Sequence, residues 1–210
     1  MSASTADHAV SHSLSEFPTH QGPAPKRIVT GYGFWIFLLS DFVIFACLFA
    51  AWGVLVHATA GGPTTHELFD LKIVGAETAA LLLSSYTCGI ASIAAERKQA
   101  LAFQIFMLVT AVLGAVFLGL EVNEFRDLIA EGNGPQRSAF LSAFFTLVGC
   151  HGVHVSLGLL WLFTMMAQVF AKGFRADIQR RLLCFSLFWH ALDIIWVGIF
   201  TAVYLYGVYL

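Results

Sequence analysis

The sequence predicts an all-α integral membrane protein with five transmembrane helices in a bundle. Three observations carry that expectation. Of 210 residues, 58 % are apolar and 11 % are charged, whereas soluble domains average about 45–50 % and about 25 %. So few charges could not cover the surface of a soluble fold. Five apolar runs recur between residues 33 and 209, each with the roughly 20 residues that crossing a hydrocarbon core requires. The runs are continuous and do not alternate in segments of about ten residues, so they do not read as a membrane β-barrel. A net charge of −2 carries no basic bias toward nucleic acid.

Residues 1–30 are polar and rich in Ser, His and Pro. They have neither a basic start nor an apolar stretch of about 7–15 residues, and they read as a loose cytoplasmic tail, not a signal peptide. His8, His12 and His20 fall in this tail at spacings that fit no metal site. Residues 31–210 form the membrane domain, with spans expected at Gly33–His57, Ile73–Ala95, Leu101–Leu120, Ala139–Val169 and Leu182–Tyr209. Polar breaks divide them: Gly61-Gly62-Pro63, Glu96-Arg97-Lys98, Gly132-Asn133-Gly134-Pro135 and Lys172-Gly173. No internal repeat is visible, which weighs against transporters built from duplicated halves. The last two spans exceed the minimum length and are expected to tilt.

Lys26, Arg27, Arg97, Lys98, Lys172, Arg175, Arg180 and Arg181 collect on one side, against Lys72, Arg126 and Arg137 on the other. That bias places the N-terminus in the cytoplasm and the C-terminus in the periplasm. Tyr204, Tyr206 and Tyr209 then form an outer aromatic belt. The third loop, with Glu121, Glu124, Asp127 and Glu131, faces outward, and the third helix runs on along the interface through Phe125, Leu128 and Ile129. Cys47, Cys88, Cys150 and Cys184 lie singly in apolar runs and read as small core residues.

Ionisable groups inside spans are functional candidates by default. Asp41 sits in a seam of alternating three- and four-residue steps through Phe34, Leu38, Phe45, Leu48 and Trp52. Two readings stay open for it: an interhelical hydrogen bond that fixes packing, or a protonatable group coupled to a proton path. Glu77 lies about a turn from its span's outer end, within reach of the headgroups. The fourth span has two faces, Gly149, Gly152 and Ser156 on one and His151, His154 and Gly158 on the other, as a central helix would. The fifth carries Trp189, His190 and Asp193, whose carboxyl can accept from His190 or from a neighbouring helix. His151 or His154 with His190 could also ligate a b-type haem from facing helices, which is the alternative function.

Phe144-Phe145-Thr-Leu-Val-Gly149-Cys-His151-Gly152-Val-His154-Val-Ser-Leu-Gly158 resembles the F-F-x-x-T-G-x-H-G-x-H-V-x-x-G signature of haem–copper oxidase subunit III. Trp189-His190-Ala-Leu-Asp193-Ile-Ile-Trp196 resembles that family's W-H-x-x-D-x-x-W, Gly33 to Phe42 its G-x-x-x-F-x-x-S-E stretch, and Glu124-Phe125 its Glu-Tyr. Five spans in place of seven, Asp for Glu at Asp41, and the Gly132–Phe145 stretch are similar to the subunit III of bacterial cytochrome o ubiquinol oxidases. The resemblance implies a non-catalytic subunit that supports assembly, lipid binding and sustained proton uptake. It implies no cofactor in this chain, with haems, copper and ubiquinol chemistry in partner subunits. The implied partners are subunit I mainly, subunits II and IV, and phospholipids, all in the bacterial inner membrane. Asp41 becomes the proton-related candidate. Glu77, His151, His154, Trp189, His190 and Asp193 become packing or lipid-cleft residues, and Arg175, Arg180 and Arg181 candidates for lipid headgroups. Asp41 is one methylene shorter than the family's Glu, which bears on any inherited proton role.

Overall fold

The computed structural model describes residues 24–61 and 71–206. The tail histidines, most of the first loop and Tyr209 lie outside the described residues. Five helices follow one another: α1 (Lys26–Leu55), α2 (Leu71–Glu96), α3 (Ala100–Ala130), α4 (Ala139–Lys172) and α5 (Ala176–Ile199). A π-helical turn, Phe200–Leu205, continues α5. All five are long and apolar enough to cross a membrane, and no strand occurs among the described residues. The chain is a multi-pass membrane protein.

The helices alternate in direction. One end of the bundle carries Arg27, Arg97, Lys172 and Arg181 and is the basic end. There Arg27 of α1 pairs with Glu96 of α2 at 2.6 Å, and Arg181 donates to Gln168 at 3.0 Å across the α4–α5 turn. Gly173 makes that turn with φ 67°, a left-handed conformation that glycine adopts without steric penalty. At the opposite end, Phe140 N–H donates to the Ala58 carbonyl, tying the start of α4 to the exit of α1. Ser138 caps α4 by accepting from Leu141 N–H at 3.1 Å.

α2 and α3 form the closest pair. α2 buries a row of small residues, Ala80, Ser84, Cys88, Ala91 and Ala95, which keeps its packed side narrow. Thr87 and Thr110 bond across the pair at 2.8 Å. α4 and α5 close the other side of a four-helix group, α3 on α4 and α2 on α5, while α1 packs outside on α4 and α5. α1 buries Leu38, Phe45 and Trp52, with Phe34, Asp41 and Leu48 half-buried beside them. This is the seam read from the sequence.

α3 is one helix through Ala130, with Leu128 buried and Phe125 half-buried against α4, not an interfacial continuation. Tyr204 is not part of an outer belt. The π turn bonds Tyr206 N–H to the Thr201 carbonyl and keeps Val203 and Tyr204 on the buried side with Trp196 and Ile199. A wider turn advances less per residue, so the α-helical phase expected from the sequence fails there. Tyr206 does face outward. Cys88 and Cys184 are buried, whereas Cys47 is exposed on α1, so one cysteine departs from the core reading.

Candidate functional site

Asp41 faces α4 from the α1 seam. It lies close enough to Cys150 for electrostatic contact and, with His154, borders a small apolar cavity of about 10 Å³. His154 donates from Nδ1 to the Cys150 carbonyl at 2.7 Å, since a carbonyl can only accept. Nε2 is thereby left free to accept. Phe45 packs edge-on against this imidazole at 5.3 Å.

One turn away the centre of the bundle is aromatic and acidic. His151 is 0 % exposed, stacked on Trp196 at 5.2 Å and flanked by Phe117 and Phe45. Neither ring nitrogen has a hydrogen-bond partner among the described residues. The two faces of α4 are both used. Gly149 and Gly152 meet α3 and Gly158 meets α5, so α4 is central as its pattern suggested.

Sequence reasoning missed an acidic cluster that meets α4 at Gly152. Glu77 and Glu121 are 0 % and 2 % exposed, so Glu77 does not reach the headgroups and Glu121 does not lie in an outward loop. Glu124 also turns inward and accepts from the buried Tyr204 hydroxyl at 3.1 Å. The three carboxyls and Tyr204 are near enough to interact electrostatically. Glu121 packs on the α4 backbone, where a Cβ on Gly152 would stand 2.6 Å from its Oε1. Both Glu77 oxygens and Glu121 Oε2 lack partners among the described residues. A signal was present: Phe103, Met107, Thr110, Gly114, Phe117, Glu121, Glu124 and Leu128 keep one three–four spacing. The seam runs through the acids. Asp127 and Glu131 are exposed.

Trp189 is wedged between two glycines. Its six-membered ring passes within 3.0 Å of an ideal Cβ on Gly114 and 2.9 Å of one on Gly158, and its Nε1 donates to Ser84. His190 donates from Nδ1 to the Ser186 carbonyl at 2.9 Å. Asp193 accepts from Ser85 of α2, the neighbouring-helix option. His190 and Asp193 line a groove between α2 and α5, whereas His151 is enclosed by α1, α3 and α5 and His154 faces α1. The structure therefore does not bring the histidines of the haem alternative face to face. Among the described residues, no three of His, Cys, Asp and Glu are arranged to hold a metal ion.

Two clefts open at the basic end. One of about 330 Å³ lies between Arg27, Glu96, Gln179 and Ser186. The other, about 380 Å³, has Arg180 and Arg181 over Phe34 and Trp161. Arg175 does not line either cleft and stands 3.9 Å from Asp177.

The sequence family described as cytochrome c oxidase subunit III matches residues 12–208. The chain belongs to that family. Among similar proteins of the subunit III family, one of Pseudomonas aeruginosa named cytochrome bo(3) ubiquinol oxidase subunit 3 is 54 % identical over 181 residues, covering 85 % of each chain. A Pseudomonas putida protein of the same name is 47 % identical over 86 % of this chain and 87 % of its own. A Staphylococcus epidermidis protein named probable quinol oxidase subunit 3 is 42 % identical over 90 % of this chain and 92 % of its own. A b-type cytochrome gains no support from any of these subunit III relatives.

Proposed function

We propose that the chain is subunit III of a ubiquinol-oxidising haem–copper complex in the bacterial inner membrane. The observation that carries this is 54 % identity across 85 % of both chains to a protein named as that subunit. Electron transfer belongs to partner subunits, chiefly subunit I, with subunits II and IV completing the complex. This chain binds them, holds lipid and sustains proton uptake. Its N-terminus lies in the cytoplasm and its C-terminus in the periplasm, a reading supported by the basic end. Arg180 and Arg181 over apolar Phe34 and Trp161 have the composition of a headgroup site above an acyl channel. Asp41, an acid within a membrane span, is the proton-related candidate of this chain.

Isolation of the tagged chain from membranes in mild detergent tests the proposal. Haem-bearing partners and ubiquinol-dependent oxygen uptake should co-purify, and His190→Ala should leave the haem content per complex unchanged. Asp41→Asn should slow proton uptake with haem content spared. A chain that elutes without haem-bearing partners, or that shows a Soret band by itself, refutes the assignment.

A further inference from the structure

Glu77, Glu121, Glu124 and Tyr204 gather at the end of the bundle opposite the basic one. Glu77 is six residues into α2 from Leu71, and Glu124 and Glu121 stand six and nine residues before Ala130 on α3. At about 1.5 Å per residue these positions are roughly 9, 9 and 13 Å from the helix ends. Glu77 and Glu121 are sealed between helices, whereas Glu124 is half-buried. The two sealed acids come from different helices. Both Glu77 oxygens and Glu121 Oε2 are closed from solvent and have no hydrogen-bond partner among the described residues.

Carboxylates buried in this way need a positive charge, because an unpaired buried charge is strongly unfavourable. Their surroundings do not provide one. The charged groups near enough to act on Glu77 and Glu121 are acids: Glu124 on Glu77, and Glu77 with Glu124 on Glu121. α5 and its π turn bring Trp196, whose Nε1 donates to Thr78, and Tyr204, whose hydroxyl donates to Glu124. α4 brings its backbone at Gly152, while the neighbouring His151 packs its ring on Trp196, Phe117 and Phe45. α1 packs on α4 and α5, and its Asp41 acts on Cys150. Lys72 and Arg126, the cations nearest along α2 and α3, are exposed. Among the described residues no three such side chains are arranged to hold a metal ion. A proton needs no coordination shell. It neutralises a carboxylate and gives it an O–H that can donate to the next carboxyl.

We propose that Glu77, Glu121 and Glu124 form a proton-binding site, which keeps protons on Glu77 and Glu121 at neutral pH and exchanges a further one at Glu124. Access divides the roles, since the two sealed acids hold their protons and the half-buried one trades with water at that end of the bundle. On uptake a hydronium ion gives its proton to the Glu124 carboxylate and leaves as water, so the cluster passes from one negative charge to none. Release reverses the step. A second ionisation would set like charges side by side in a buried site. All of the groups belong to this chain, so the site stands apart from the subunit assignment above.

Infrared difference spectra of the detergent-purified assembly test this, with the unmutated protein set against Glu77→Gln, Glu121→Gln and Glu124→Gln in turn. At neutral pH the first two variants should each lose a protonated-carboxyl band. Glu124→Gln should lose a band that interconverts between carboxylate and protonated forms as pH changes. The thermal midpoint is a second readout. On unfolding, the sealed acids meet water and ionise, so the native state binds more protons and this part of the stability falls as pH rises. Glu77→Gln with Glu121→Gln should flatten that fall. Loss of a carboxylate band from Glu77→Gln or Glu121→Gln, or an unchanged pH slope in the double variant, overturns the proposal. So does a Glu124 carboxyl that keeps one form at every pH. Failure of both single Gln variants to assemble overturns it too, because the amide keeps the shape and neutrality of the protonated acid.

Discussion

Replacing Gly158 with Ala should destabilise the bundle, although the same change at Gly119 or Gly33 should not. A Cβ at Gly158 would lie 2.9 Å from Trp189 Cζ3 and 3.2 Å from Phe188 Cε1, where ordinary contact begins at 3.4 Å. The indole cannot easily retreat. Its far edge is already 3.0 Å from the Cβ position of Gly114, and its Nε1 is held by Ser84 at 3.2 Å. Overpacking of this size costs about 1–3 kcal/mol, and losing the Ser84 bond adds about 0.6 kcal/mol on the scale of interhelical bonds in membranes. Gly158→Ala and Gly114→Ala should therefore each cost about 2–4 kcal/mol. At Gly119 nothing lies within 4 Å of the added carbon, and the helix should gain about 0.5–1 kcal/mol. Trp189→Phe should cost about 1–3 kcal/mol alone and much less in the Gly158→Ala background, since both changes act on one ring. Heat-induced aggregation of the detergent-solubilised complex, read as a midpoint for each variant and the double variant, measures these effects. If Gly158→Ala lowers the midpoint no more than Gly119→Ala, or if the effects with Trp189→Phe simply add, the wedge is not what holds α3, α4 and α5 together.

His151→Phe should preserve assembly where His151→Ala weakens it by about 3–5 kcal/mol. The ring packs on Trp196 and its nitrogens have no hydrogen-bond partner among the described residues, so an apolar ring of similar shape loses no such bond. Subunit retention on native gels compares the two, and equal loss would show that a nitrogen of His151 is engaged. Arg27→Ala should change stability by less than about 1 kcal/mol, because Arg27 and Glu96 are 61 % and 63 % exposed. A larger loss in the thermal midpoint would mean that the pair holds α1 in place. Arg180→Gln with Arg181→Gln should weaken binding of anionic phospholipid roughly thirtyfold, at about 1 kcal/mol for each of the two charges removed. Mass spectrometry of extracted lipid reads it, and an unchanged amount rules out that cleft as the headgroup site.

How much of this protein its sequence determined divides along a physical line. Helix number, the α1 seam and the central place of α4 were legible, because apolar length answers to the bilayer and residue spacing answers to helix geometry, both local properties. The comparison fails where a side chain's surroundings depend on distant helices. Glu77, Glu121 and Glu124 read as outward because acids near span ends usually reach water, yet α2, α3 and the π turn of α5 fold them in together. Tyr204 left the expected belt for the same reason. The histidines permitted haem ligation by depth along their helices, and only rotation about those helices separated His190, toward α2, from His151 and His154, toward the other interfaces. Sequence spacing fixes which residues share one helix face. Which neighbour that face meets is decided by how all five helices pack, and each packing choice is set by small contacts, such as Gly158 against Trp189, that no single helix contains.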